Sequence, residues 1–291
     1  MIVKILLSVL TLLVIVFGFI LVRDVISHRH EPKTKPHWFT GLVGFVANFF
    51  DTLGVSSFAQ ITAIFKATKT VDDKIIPGTL NVANAIPTAL QALIFISVVK
   101  VDVLTLLTLI ASATIGAWLG AGIIAKFSRR RIQIVMGFAL AVTAVLMILS
   151  MAGLIQGYGD AQGLTGGVLI AGIIGNFILG AFMTAGVGLY APCMAMLFLL
   201  GMSPLMVFPI MMGSCAFLMP VAGIRFIRKE KYARKPSLAI ALAGCIGVLI
   251  AAYLVTSLPL DILKIVVIVV VIYTSGAMLY SASKGKSSKI M

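Results

Sequence analysis

The sequence predicts an all-α, polytopic transmembrane protein built from two inverted repeats, each a broken or re-entrant helix element plus three helices, preceded by one extra N-terminal helix. Three observations predict it. The 291 residues are 60% apolar and only 11% charged, in runs near the roughly 20 residues that a bilayer crossing requires. A short motif recurs once, half a chain away. The basic residues gather in a few segments between the apolar runs.

The elements follow in order. Residues 5 to 22 carry no charge and show no small-x-small cleavage pattern before Arg23, so they read as a retained helix rather than a cleaved signal. A basic loop ends near residue 37. Segment 38 to 65 is apolar but interrupted by Asp51 and Gly54, and uncharged runs at 75 to 99, 103 to 125 and 132 to 152 supply three full crossings. The 64 residues from Ala161 to Ile224 are also uncharged. That length exceeds a single crossing and must fold back on itself. Runs at 236 to 260 and 265 to 283 complete the set. The organisation is thus residues 1–37 (N-terminal helix and basic loop), 38–152 (first transmembrane repeat) and 153–291 (second repeat and basic tail).

A shift of 132 residues lays Thr52-Leu53-Gly54-Val55-Ser56-Ser57-Phe58-Ala59 on Thr184-Ala185-Gly186-Val187-Gly188-Leu189-Tyr190-Ala191, both reading T-x-G-V-x-x-aromatic-A, and places Pro77 on Pro209. Order and spacing persist along both halves, as in an internal duplication. Of the 23 Lys and Arg residues, 20 lie in segments 23 to 35, 66 to 74, 126 to 131, 225 to 235 and 284 to 289. These five segments belong on the cytoplasmic side. Segment 38 to 65 then returns to the side it left, and so does its counterpart in the second half. Each half then makes an odd number of crossings, which turns the second upside down relative to the first; the alternative, one interrupted crossing per broken segment, makes the repeats parallel and puts at least one basic loop outside. A net charge of +14 therefore reflects topology and predicts no nucleic-acid partner.

Inverted repeats bind substrate near the midplane, where helices break. Glycine permits the break, and Thr52, Ser56, Ser57 and Thr184 offer hydroxyl caps for the helices that resume. Two helix N-termini inside an uncharged region make a site for an oxyanion. The candidate substrate-binding residues are Thr52, Gly54, Val55, Ser56, Ser57, Asn81, Thr184, Gly186, Val187, Gly188 and Tyr190. Asn84 and Gln60 extend the polar lining. Asp51 lies deep in the apolar segment, where a carboxylate is expensive and usually functional. Proton coupling and capping of the next helix are the two roles open to it, and its counterpart Met183 makes either one asymmetric. Cys193, Cys215 and Cys245 show no disulfide or metal spacing. His28, His30 and His37 fall in the first basic loop with Glu31, where a solvated connection is the simplest reading.

The stretches Asn48-Phe49-Phe50-Asp51-Thr52-Leu53-Gly54-Val55, Ile76-Pro77-Gly78-Thr79-Leu80-Asn81 and Tyr190-Ala191-Pro192-Cys193 resemble the TauE/SafE sulfite exporter family of membrane permeases, over roughly residues 38 to 282. The resemblance implies movement of sulfur-containing anions such as sulfite, thiosulfate or organosulfonates, commonly outward, through two homologous halves.

No nucleotide-binding GxxxxGK[ST] occurs, so a transporter of this kind draws on an ion or substrate gradient. The expected function is a multi-pass secondary transporter of the cell membrane, not an enzyme, with no cofactor and no metal. Its partners are a small anionic substrate and membrane lipid, and a homo-oligomer stays open. An anion channel, and a noncatalytic subunit handing sulfur to a partner through Cys193 or Cys215, are the alternatives.

Overall fold

Uninterrupted apolar sequence becomes helix almost everywhere, because a backbone in hydrocarbon must satisfy its polar groups within the segment. The computed structural model describes residues 2–28, 37–124, 129–152, 154, 160–184, 188–257 and 260–284. Among these lie eleven helices: α1 (Ile2–Ser27), α2 (His37–Thr52), α3 (Ser57–Thr68), α4 (Ile76–Val98), α5 (Val103–Ile124), α6 (Arg129–Met151), α7 (Gly166–Thr184), α8 (Tyr190–Leu199), α9 (Pro204–Arg228), α10 (Arg234–Ser257) and α11 (Leu260–Lys284). No named strand occurs among the described residues. Six of the described helices (α1, α4, α7, α9, α10 and α11) are long and apolar enough to cross a membrane. The protein is a polytopic helical membrane protein.

Two interruptions stand out. The α2–α3 pair has 16 and 12 residues, about 24 and 18 Å at 1.5 Å per residue, so neither half spans a hydrocarbon core of about 30 Å. The same holds for α8 with its 10 residues. These short helices occupy the positions where the sequence predicts broken elements.

The course of each broken element can be read from its neighbours. α2 runs beside α10 in the same direction, with Gly44 against Ile240 and the Phe45 carbonyl against Gly247. α10 starts at the loop 229–233, and that loop also meets the start of α4: the Lys231 carbonyl lies over Gly78, and Ala233 N donates to Thr79 Oγ1 at 3.0 Å. α2 therefore leaves from the level to which the chain has returned when α4 begins. At α7–α8 the two ends are joined directly. Ala161 N donates to Gly201 O (3.1 Å), Ser203 N donates to Ala161 O (3.0 Å), and Ala161 bridges Met202. The start of α5 joins them, since Asp102 N donates to Gln162 O (3.1 Å) and Leu164 N to Thr105 Oγ1 (2.9 Å).

Described residues in and next to the basic segments meet one another in pairs. Asp24, at the close of α1, accepts from Arg234 Nε at 2.7 Å and from the Tyr232 hydroxyl, and His28 stands 3.5 Å from the same carboxylate. Arg225 Nη1 donates to Trp118 O near the end of α5, and Gln133 at the start of α6 donates to Ser281 near the end of α11. His30 and the side chain of His37 lie outside the described residues.

Packing pairs the halves: α2 lies along α10, α5 along α7, α4 along α9 and α6 along α11, while α4 also meets α10 and α5 meets α9. Lipid tails are as apolar as the helix faces, so close packing, not water exclusion, holds such pairs. Small residues allow it at matching places: a Cβ on Gly247 would stand 2.3 Å from Phe45 O, and one on Gly116 would stand 2.0 Å from Phe177 O.

Candidate functional site

The first break is built by a helix stop and a helix start with four residues between them. Val55 N donates to Phe50 O (2.9 Å) and Gly54 N to Asp51 O (2.9 Å), the paired bonds of a Schellman stop with Gly54 in the left-handed position at φ +99°,. α3 then begins at Ser57, with Ser56 as its N-cap residue. The cap is Asp51, in one of the two roles open to it, and not the hydroxyl of Thr52 or Ser56. Ser56 makes no side-chain capping bond, and Thr52 Oγ1 donates back to Asn48 O at 2.9 Å. Asp51 Oδ1 instead accepts from Ser57 N at 2.6 Å. The reason is physical: the carboxylate is a stronger acceptor than a hydroxyl, and the two-residue turn swings it over the free N–H groups of α3.

This fills a place expected to be open to substrate. The positive end of α3 faces a carboxyl group that belongs to the chain itself. At the second break α8 starts after Leu189, with no side-chain cap.

Asp51 leads into a buried network. Gln91, in the middle of α4, donates from Nε2 to Asp51 Oδ2 (3.1 Å) and to Thr52 Oγ1 (3.0 Å), and its Oε1 accepts from the Tyr190 hydroxyl (2.5 Å). All four side chains are 3% exposed or less. The chain of bonds thus runs from the end of α2, through α4, to the first residue of α8. The breaks also touch directly, since a Cβ on Gly188 would lie 2.2 Å from Ser56 Oγ, and one on Gly54 would lie 3.4 Å from Met194 Cε.

The structure therefore gathers Asp51, Thr52, Gly54, Val55, Ser56, Ser57, Gly188 and Tyr190 into one region. Gln60 closes its edge, donating from Nε2 to Val55 O at 2.9 Å. Asn81 stands apart: it lies ten positions before Gln91 on α4, about 15 Å along the helix, and its amide donates to Pro77 O. Gly186, Val187 and the side chain of Thr184 lie outside the described residues. Cys193 and Cys215 are fully buried, and Cys215 Sγ donates to the sulfur of Met183, the residue that stands where Asp51 does in the first half.

Sequence reasoning named Asn84 for the polar lining but missed Gln91 and the roles of Asn48 and Asn176, the amides that pin the broken elements to α4 and α9. Asn48 Nδ2 donates to Asn84 Oδ1 at 3.0 Å, and Asn176 Nδ2 donates to Ser214 Oγ at 3.0 Å. A signal was present. Asn81, Asn84, Thr88 and Gln91 follow a three-and-four spacing, a polar stripe down one face of an apolar helix, and all are fully buried.

The sequence model of one family matches this chain. It is described as Sulfite exporter TauE/SafE and matches residues 1–147, half of the chain, from α1 through most of α6 and across the first break. The chain belongs to the TauE/SafE family. No curated protein and no solved structure matches it. Membership makes this a multi-pass membrane permease of a sulfite-exporting family. The matched half contains Asp51, Thr52, Gly54 and Gln91, while Tyr190 enters from the half beyond it.

Proposed function

We propose that this TauE/SafE protein is a secondary transporter that exports a small sulfur-containing anion, sulfite being the first candidate, and binds it where the two breaks meet. One observation carries the reading. Ser56 of the first break stands against Gly188 of the second, and Gln91 ties Asp51 and Thr52 to Tyr190 at the same level.

The two halves act as inverted repeats. Exchanging α2–α6 for α7–α11 maps the pairs α2·α10, α4·α9 and α6·α11 onto α7·α5, α9·α4 and α11·α6, which supports a two-fold relation. The ends of α7–α8 lie beside the start of α5, and those of α2–α3 lie toward the start of α4, as expected for elements entering from opposite faces.

The α8 N-terminus, whose N-cap residue Leu189 makes no side-chain bond, and the Ser56 hydroxyl beside Gly188 offer donors to an oxyanion without a Lys or Arg in either break,. Asp51 is the proton-coupling group. Ionised, it holds the α3 terminus itself and repels a second anion. Protonated, it loosens its hold on that terminus and ends the repulsion, so proton binding and anion binding favour one another.

The test is flux from proteoliposomes loaded with sulfite, thiosulfate, sulfate or taurine, with and without a pH gradient. Saturable, gradient-driven flux of a sulfur oxyanion is expected. Gly188→Leu, which drives a side chain into Ser56, should abolish it. Normal flux through that variant places the route elsewhere.

A further inference from the structure

The Gln91 amide has one orientation that suits an ionised Asp51. Its Nε2 faces Asp51 Oδ2 and Thr52 Oγ1, and its Oε1 faces the Tyr190 hydroxyl. A carboxylate carries no hydrogen, so the opposite orientation would set two acceptors face to face in a dry interior, where an unmade hydrogen bond is costly.

Protonation reverses the requirement. A carboxylic O–H on Asp51 needs an acceptor, because Ser57 N and Gln91 Nε2 both donate toward it. Turning the Gln91 amide by half a rotation supplies one. Oε1 then accepts from Asp51 and, as the Thr52 hydroxyl turns its proton from Asn48 O, from Thr52 Oγ1, and Nε2 donates to the Tyr190 oxygen. The Tyr190 O–H must in turn find a new acceptor, and the Thr88 hydroxyl, one turn before Gln91 on α4, faces it. One proton enters at Asp51, and none crosses to Tyr190. What crosses is the direction of the hydrogen bonds.

We propose that Gln91 is an amide switch that passes the protonation of Asp51, in the first break, to Tyr190 at the head of α8, in the second. The proposal rests on the reading of Asp51 as the proton-coupling group. Gln91 is a positioning residue, acting through its two neighbours. Beside Gln91 on α4, the groups that face Asp51 are Ser57 of α3 and Tyr190 of α8, and Cys215 of α9 lies near, with Cys193 of α8 next to it. No Lys, Arg, His or second carboxylate is among the groups acting on Asp51 in the described residues. Tyr190 opens α8, so a reversal at its hydroxyl is felt by the half-helix whose terminus is offered to the anion.

The experiment is pH-difference infrared spectroscopy on the full chain in lipid nanodiscs, with ring-labelled tyrosine. In the unmodified protein, acidification should produce a carboxylic C=O band that is absent in Asp51→Asn. A tyrosine band absent in Tyr190→Phe should shift in step with it. In Gln91→Met, which keeps the length and loses the amide, the Asp51 band should persist while the Tyr190 band stops following. Gln91→Asn, one methylene too short to reach both partners, gives the same reading should the Met variant not fold. A Tyr190 band that still tracks Asp51 in the Gln91 variants overturns the proposal, as does an Asp51 that never protonates or protonates with no tyrosine response.

Sulfite flux in vesicles of the same proteins separates the two readings. Gln91→Met should lose about tenfold of the gradient-driven component, within the usual range of coupling energies. Unmodified vesicles that move no sulfite refute the transport assignment and leave the infrared result to decide the switch. Gradient-driven flux that survives in Gln91→Met refutes the switch and leaves the transport assignment standing.

Discussion

A carboxylate at mid-helix depth costs about 2.5–3.5 kcal/mol on insertion scales, and the structure shows what offsets it: the Ser57 N–H at 2.6 Å and the Gln91 amide at 3.1 Å. The two functions of Asp51, cap and charge, are separable by substitution. Asp51→Asn keeps an oxygen for the Ser57 N–H and removes the titrating group, so it should fold and its sulfite flux should no longer respond to pH. Asp51→Ala removes the cap as well and should lose about 1 kcal/mol of stability relative to Asn, the usual worth of an N-cap. Thermal melts in detergent and flux at acidic and alkaline pH give the two answers. A steep pH response in Asp51→Asn would transfer the coupling to another group. Gly54 is the second informative residue here. At φ +99° any side chain is strained by about 1 kcal/mol or more, and a Leu there would also press on Met194 and Val270. Gly54→Leu should therefore lower the melting temperature and stop flux together.

At the scale of elements, every apolar run read from the sequence is a helix, and both predicted breaks fall where the structure stops one helix and starts another. Composition reveals this because backbone in lipid has so few alternatives to a helix. The site was legible only in part. Thr52 to Ser57 and Tyr190 announce themselves by the duplicated motif, whereas Gln91 belongs to no motif, and its importance appears only once its side chain reaches Asp51 and Thr52 at one end and Tyr190 at the other. Capping of the next helix was one of the two roles open to Asp51 and the Ser57 N–H bond shows it, whereas the hydroxyls of Thr52 and Ser56, also expected as caps, make no such bond. A surface helix start obeys the same capping rule. Asp102 Oδ2 accepts from Thr105 N (2.8 Å) and Thr105 Oγ1 (2.7 Å) at the head of α5. The Thr105 N–H, and then its hydroxyl, hold the Asp102 carboxyl below the usual carboxylate range. A depressed value means the stabilisation is complete above the ordinary carboxylate pKa and fades as pH falls through the depressed one. Asp102→Ala should cost about 1 kcal/mol at neutral pH, and the gap in melting temperature should close in acid. A gap that stays constant with pH would assign the loss to packing. For the α5·α7 pair, Gly180→Leu sets a side chain against the Ala113 carbonyl, where overpacking typically costs about 1–3 kcal/mol.

The whole molecule turns on whether its halves face opposite ways. Helices alone do not decide it, since a chain of parallel repeats would show the same apolar runs. Contacts narrow the choice. Asp24, Lys231, Ala233 and the start of α4 meet at one end, whereas Asp102, Ala161 and Gly201 meet at another, separated from the first by α4, a crossing of 23 residues or about 35 Å,. If the first end is cytoplasmic, as its basic residues require, then α2–α3 enters from the cytoplasm and α7–α8 from outside. The two breaks would then present α3 and α8 to the midplane from opposite sides, so that one anion could meet both helix termini. Single cysteines test this directly, introduced after Cys193, Cys215 and Cys245 are replaced by Ala. Exposed positions suit each end, Glu230→Cys at the first and Asp160→Cys at the second. With a membrane-impermeant maleimide applied to intact cells, Asp160→Cys should react and Glu230→Cys should react only after the membrane is opened. Labelling of both from the same side would make the repeats parallel, and the meeting of two opposed helix termini at the substrate would have to be abandoned.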